Sequence, residues 1–299
     1  MLRYLLFILC ATLYLPGLPV DAWGEYGHAA VGLLAQRLLH DHVRDGLQQL
    51  LDFDDYARGD FGRAANWPDA IKSIDPSYRW SLALHFVEMG EEHTPDTCHD
   101  YAPHLCPDGR CLVGALQNYT QRIRCDAPAA SRREALKFLI HLMGDIAQPL
   151  HSGGYARGGN DLKGVWEGKP VNLHKVWDEY MLNKTIAEQF DGRFDRYLDR
   201  MEQEILFGRY AQWHASWLSC FEPPSAGDIA SCAIEWVNAA HRFDCSYVFP
   251  TYSLAKTNGT LEWSTDYHRE NADRVNMFIA RAIVRLAYLL NTLLDTCVH

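Results

Sequence analysis

Apolar positions recurring at helical spacing dominate the chain. From Gly27 to Leu51, Val31, Leu34, Ala35, Leu38 and Leu39 predict a helix, preceded by Trp23-Gly-Glu-Tyr-Gly-His28. Residues 52–80 are polar and broken, with Asn66-Trp67-Pro68-Asp69 ahead of a short helical turn carrying Lys72. Ser81 to Glu88 is apolar around His85 and Phe86, and reads as an extended segment or a short buried helix. The cysteine-rich stretch from Glu91 to Cys111 is a loop by composition, and helical signals return over Leu112–Ile123. From Arg132, Ala135, Phe138, Leu139 and Leu142 predict an amphipathic helix that Pro149 should end soon after Asp145. Residues 152–168 form a glycine-rich loop, and Asn172 reads as the N-cap of a helix holding His174, Trp177, Asp178 and Met181. Further helical patterns cover roughly 194–218, 228–241 and 268–296. Arg281 and Arg285 interrupt the last, which marks a core-packed helix rather than a membrane anchor. No strand ladder is evident, so the fold class is mainly α.

The 299 residues show no linker, repeat or low-complexity tract, and a hydrophobic fraction of 48% suffices for one large core. Residues 1–22 read as a signal peptide: Arg3, an apolar run from Tyr4 to Leu15, a Pro/Gly break, then a cleavage site at Val20-Asp21-Ala22. Cleavage there leaves residues 23–299 as one domain with Trp23 at its amino terminus. Cys10 departs with the signal, leaving Cys98, Cys106, Cys111, Cys125, Cys220, Cys232, Cys245 and Cys297, an even set that points to disulfides in a secreted chain. Cys106 and Cys111 bracket the turn sequence Pro107-Asp108-Gly109 and are paired first; Cys98 with Cys245 is a guess that no spacing dictates. Sequons begin at Asn118, Asn183 and Asn258. Net charge is −10, with no basic stripe of the kind that grips duplex phosphates. Attraction for a polyanion must then be local, and bound metal would supply it.

His141 and Asp145 lie four residues apart on one helix face, and His151 returns just after Pro149. His174 and Asp178 repeat that spacing on a separate helix. Either pair alone is often a buried hydrogen-bonded pair; two copies with a histidine between them make a metal site the better reading. His28, Asp69 and His85 sit among apolar residues where a polar side chain needs a partner. Together the eight side chains suggest a multinuclear zinc site, since imidazole and carboxylate suit zinc and oxidation removes the thiolates. The loop around Arg157-Gly-Gly-Asn160-Asp161 lacks the lysine and hydroxyl of a nucleotide phosphate loop, which excludes that class.

Trp23-Gly-x-x-Gly-His28, Trp67-Pro-Asp69, His85-Phe86, His141-x-x-x-Asp145-x-x-x-x-x-His151, Gly158-Gly-Asn160 and His174-x-x-x-Asp178 resemble, in combination, the zinc-dependent S1/P1 nucleases. The resemblance runs from Trp23 to about Thr296. It implies a single helical domain of the phospholipase C/nuclease type with three zinc ions in a cleft. Asp69, His85, His141 and Asp145 would hold one ion. Asp145 would bridge to a second, completed by His28 and the freed amino nitrogen and carbonyl oxygen of Trp23. His151, His174 and Asp178 would hold the third. The implied activity is hydrolysis of single-stranded RNA and DNA to 5′-nucleotides, with 3′-nucleotidase activity, by a secreted monomer. Asp69 would orient the attacking water, Lys72 and Asn160 would donate to phosphoryl oxygens, Phe86 would stack on a base, and Glu88 would hydrogen-bond it. The neighbouring readings are a zinc-dependent phospholipase C and a non-catalytic zinc protein. The first typically ends its ligand set with Glu rather than an aspartate such as Asp178, and the second closes its metal site.

Overall fold

The computed structural model describes residues 23–221, 228–257 and 259–297; the expected signal peptide and the Asn258 sequon lie outside them. The mainly α class holds, with corrected boundaries. The first expected helix is two, α1 (Glu25–Arg37) and α2 (Asp41–Asp52). Leu38 and Leu39 donate to Ala35 and Gln36 three residues back, which tightens the last turn, and His40 then turns extended. The break carries no Gly or Pro signal, yet it lets Leu39, Val43 and Leu47 bury together.

The polar stretch contains a full helix, α3 (Phe61–Ile74), capped by Asp60, whose side chain accepts from the Arg63 N–H at 2.8 Å. Its buried face is Phe61, Ala64, Ala65, Trp67 and Pro68, too rich in small residues to read as apolar. That face packs on α1 and on α5 (Ala129–Asp145), which carries Pro68 within the helix despite the missing N–H. Residues 76–85 form a 3-10 helix that turns extended at Phe86, so both readings of that segment apply in sequence. Helix α4 (Leu112–Arg122) follows a disulfide-bonded turn. Helix α5 is the central rod: every residue from Ala135 to Asp145 is buried, against α1, α3, α4 and the last helix.

The absence of strands is corrected too. β1 (Lys163–Trp166) pairs antiparallel with β2 (Lys169–Asn172) through a two-residue turn, Glu167-Gly168, both at positive φ. A smaller hairpin joins β3 (Lys256–Thr257) and β4 (Thr260–Leu261). Asn172 is the expected N-cap, accepting from the Lys175 N–H at 2.7 Å. The helix it opens is α6 (Leu173–Lys175), a π turn (Val176–Tyr180) and α7 (Met181–Gln189). The region 194–218 resolves into α8 (Phe194–Leu206) and α9 (His214–Leu218). Helix α10 (Ile229–Phe243) leads through a second π turn into α11 (Phe249–Thr251), and α12 (Asp266–Leu294) closes the domain.

By length and composition α12 is apolar enough to cross a membrane. It packs instead against α1, α5, α7 and α9. Its buried Arg285 is accommodated by donating Nε to the Trp217 carbonyl at 3.1 Å while its guanidinium lies over the Trp236 ring at 4.2 Å. All eight cysteines expected in the mature chain pair: Cys106–Cys111 and Cys98–Cys245 as expected, with Cys125–Cys297 and Cys220–Cys232. Two of these bridges close loops of well over a hundred residues, where a crosslink removes the most unfolded-state entropy.

Candidate metal centre

The expected His/Asp side chains converge. His141 and Asp145, one turn apart at the end of α5, bring Nε2 to 3.3 Å from Oδ2. From α1, His28 reaches Asp145 Oδ1 at 3.4 Å and stacks on His141 with ring centroids 3.7 Å apart. Gly144 leaves room for that approach, because a β-carbon there would meet the His28 ring at 2.9 Å. His85 Nδ1 lies 3.0 Å from Asp145 Oδ2, 3.6 Å from Asp69 Oδ1 and 2.9 Å from His141 Nε2. A third set gathers across Asp145: His151 Nε2 is 3.6 Å from Asp178 Oδ1, and His174 Nε2 is 3.1 Å from Asp178 Oδ2. His151 Nδ1 is 3.7 Å from Asp145 Oδ1, so the sets are continuous. His174 and Asp178 straddle the start of the π turn, a backbone irregularity that recurs at functional sites.

These separations are those of ligands sharing an ion. Donors about 2.1 Å from a metal stand about 3.0–3.4 Å from one another. Three groups qualify within this cavity: His28, His141 and Asp145; Asp69, His85 and His141; His151, His174 and Asp178. The orientation of the rings supports the same conclusion. Nδ1 of His141, His151 and His174 donates to the carbonyls of Ala65, His85 and Gly158 at 2.7, 2.8 and 2.7 Å, which fixes the tautomer and leaves Nε2 as a lone-pair donor toward the cavity. Gly158 can bend there because its φ is +60° and a β-carbon would strike the Leu150 carbonyl. His28 Nε2, Asp145 Oδ1, His151 Nε2 and Asp178 Oδ2 are buried without a hydrogen-bond partner, an arrangement a cation satisfies and an apolar core does not. The donor set fits divalent metal.

Sequence reasoning missed Gln148. Fully buried, it donates Nε2 to Asp178 Oδ1 at 2.6 Å and accepts the Leu150 N–H at 2.7 Å. It thus caps the turn carrying His151 and aims the carboxylate opposite. A glutamine wedged between apolar residues and Pro149 is the one signal that marks it.

Burial opposes charge throughout the cavity, and the neighbours decide which groups ionise. For Asp145, burial favours the neutral acid, but His141, His28 and His85 hold its carboxyl well below the usual range. Asp69 is likewise held low against burial by His141, His85 and Lys72. Burial keeps His28 and His174 neutral, and burial with the nearby Lys72 charge drops His85 to about 4. His151 and His141 are the exceptions: against burial, the nearby Asp178 and Asp145 carboxylates raise His151 to about 9, and the Asp145 and Asp69 charges raise His141. Neutral imidazoles beside ionised carboxylates are the protonation states that metal binding requires.

Lys72, among the other expected residues, contacts the cluster directly: one turn beyond Asp69 on α3, it donates Nζ to Asp69 Oδ1 at 2.7 Å and lies 3.4 Å from His85 Nε2. Phe86 and Glu88 are exposed while Val87 and Met89 are buried, the alternation of an extended segment. The Val87 N–H donates to the His151 carbonyl at 2.8 Å, which ties this segment to the His/Asp cluster. Asn160 stands in the loop that receives His174, its Nδ2 donating to the Arg157 carbonyl at 2.9 Å. Trp23 is fully buried; its Nε1 donates to the Gly144 carbonyl at 2.8 Å, and the next N–H, of Gly24, donates to the Asp178 carbonyl at 2.7 Å. The main chain at Trp23 is therefore held between the α5 terminus and the helix bearing Asp178.

The profile described as S1/P1 Nuclease matches residues 23–295. The chain is 29% identical to Nuclease P1 of Penicillium citrinum, over 90% of this chain and 97% of that protein. It is 30% identical to Nuclease S1 of Aspergillus oryzae over 95% of each chain. Endonuclease 1 of Arabidopsis thaliana is 31% identical, over 91% of this chain and 87% of that protein.

Proposed function

The chain belongs to the S1/P1 nuclease family, and from that we propose that it is a secreted zinc-dependent phosphodiesterase. Its substrates would be single-stranded RNA and DNA, cleaved to 5′-nucleotides, with removal of the 3′-phosphate from 3′-nucleotides. The observation that carries this reading is one buried cavity in which three His/Asp sets adjoin through Asp145, with the exposed ring of Phe86 next in the chain to His85. Asp69, His85, His141 and Asp145 would hold one zinc. Asp145, His28 and the amino nitrogen and carbonyl oxygen of a processed Trp23 would hold a second, and His151, His174 and Asp178 a third. Residues 23–299 would act as one domain and as a monomer, released by removal of residues 1–22.

When bound, zinc supplies Lewis-acid polarisation of phosphoryl oxygens and acidifies water to near neutrality. Asp69, ionised and beside His85 and His141, orients the water that attacks phosphorus in line. The bond to the 3′ oxygen breaks; one proton of the water ends on that oxygen, which leaves as a hydroxyl, the other passes to solvent, and the phosphate stays on the 5′ side. Lys72 donates to a phosphoryl oxygen from its position on Asp69, and Asn160 uses its second amide N–H in the same way; such a donor is typically worth about 3 kcal/mol. Phe86 stacks on one base, worth roughly 1–3 kcal/mol for any sequence, while Glu88 on the same face reaches the base edge. A stacking platform takes an unpaired base, hence the preference for single strands.

The test is incubation of the processed protein with single-stranded RNA, duplex RNA, a 3′-mononucleotide and phosphatidylcholine, with and without chelator. Chelator-sensitive release of 5′-nucleotides from the single strand, and of phosphate from the mononucleotide, is expected. Lipid hydrolysis without nucleotide release would move the chain to the phospholipase C reading, and metal binding with no turnover to the non-catalytic one.

A further inference from the structure

On the surface, outside the cavity's residues, the start of α2 meets the end of α12. There His40 Nδ1 and His42 Nε2 both stand 3.2 Å from one oxygen, Asp295 Oδ1. The three side chains are solvent-exposed, and their donor atoms form a compact group. The geometry points to a further divalent-cation site here, on the surface and separate from the buried cavity, taking Zn2+ or Cu2+ through two imidazoles and one carboxylate.

Three observations carry it. The two 3.2 Å separations match the edge of a coordination polyhedron, about 3.0 Å for octahedral and about 3.4 Å for tetrahedral ligands bonded at about 2.1 Å. The donor chemistry is selective, since imidazole with carboxylate suits zinc and copper rather than calcium or magnesium. The scaffold is fixed before any ion arrives. Asn291 of α12 accepts the His40 N–H through Oδ1 at 2.9 Å and donates Nδ2 to the Leu38 carbonyl at 3.3 Å, clamping the turn before α2 onto α12. Two residues beyond Asp295, Cys297 is bonded to Cys125. The main-chain part of the ordering that would otherwise weaken a surface site is therefore already done. The chain's charge of −10 favours cation uptake, and three protein ligands leave positions for water or an external donor. Occupied, the site ties α2 to the terminal turn of α12.

Processed protein with its buried metals in place is dialysed into metal-free buffer, then titrated with Zn2+ by calorimetry and with Cu2+ by electron paramagnetic resonance. The wild type is expected to take up one exchangeable equivalent, with nitrogen hyperfine coupling in the Cu2+ spectrum and a rise in Tm. His40→Ala/His42→Ala should lose that equivalent, and Asp295→Asn should weaken it by about tenfold or more. Nucleic-acid hydrolysis should stay at the wild-type level in both variants, so failure of this site and failure of the catalytic reading are separate results. No exchangeable equivalent in the wild type, or equal uptake by the double variant with its fold intact by circular dichroism, overturns the proposal.

Discussion

Gln148 offers the sharpest test of how the metal cavity is held. Replacing it with leucine keeps the volume but removes two buried hydrogen bonds. One is to a carboxylate, Asp178 Oδ1 at 2.6 Å, a class worth about 1.5–3 kcal/mol. The other leaves the Leu150 N–H buried and unpaired, at a cost of about 1–3 kcal/mol. Metal-free Gln148→Leu should then lose on the order of 3–5 kcal/mol of stability, read as a fall in Tm. The effect on metal is more selective. Partners one shell out from the ligands set affinity by about 10–100-fold, and Gln148 addresses only the set made by His151, His174 and Asp178. The assay is metal content per chain across buffered free-zinc concentrations, read beside kcat. One metal should leave at about 10–100-fold higher free zinc than in the wild type while the rest stay, and added zinc should restore kcat. Loss of all metals together, or retention of all at wild-type affinity, would refute the assignment of Gln148 as the residue that aims Asp178.

Further outcomes follow from the same geometry. A form of the protein retaining even one residue before Trp23 should lose metal and activity together, because an α-amino ligand exists only after processing; full metal content in that form would overturn the assignment. In the metal-free protein, the stability contributed by protonated His151 is fully present below its unfolded pKa, near 6.5, and is lost as pH rises through about 9. Zinc uptake between those limits should release a proton from His151, measurable by calorimetry in buffers of different ionisation enthalpy. Asp54→Asn should cost about 3–5 kcal/mol, seen in denaturant unfolding, since it strands buried Lys137, whose Nζ sits 2.6 Å from Asp54 Oδ2 and over the Trp67 ring.

What could be read from the sequence was chemistry local along the chain. His141 and Asp145, like His174 and Asp178, declare themselves because four residues is one helical turn, and the structure brings both pairs to one cavity. Helix α3 stayed hidden because its core face is built from alanines and a proline, which periodicity undercounts. The β1–β2 hairpin was masked by glycines that read as loop, although Glu167-Gly168 supplies the positive φ values a tight turn demands. The groups that orient the imidazoles were invisible for another reason: the acceptors at Ala65, His85 and Gly158 are backbone carbonyls, and every residue has one. Gln148 could be placed only once the fold brought Asp178 beside it.

The segment from His85 to Glu88 serves two masters. Its first residue faces the cluster and lends its carbonyl to the His151 ring, its third takes the His151 carbonyl, and its second and fourth look outward with the aromatic and the acid. On the roles proposed for Phe86 and Glu88, substrate preference and metal tuning share one strip of main chain. Retargeting by grafting a new loop here would detune the ions, whereas exchanging the outward side chains leaves them untouched. On the proposed roles, drift in base choice would have its free path through positions 86 and 88, not through the backbone that carries them.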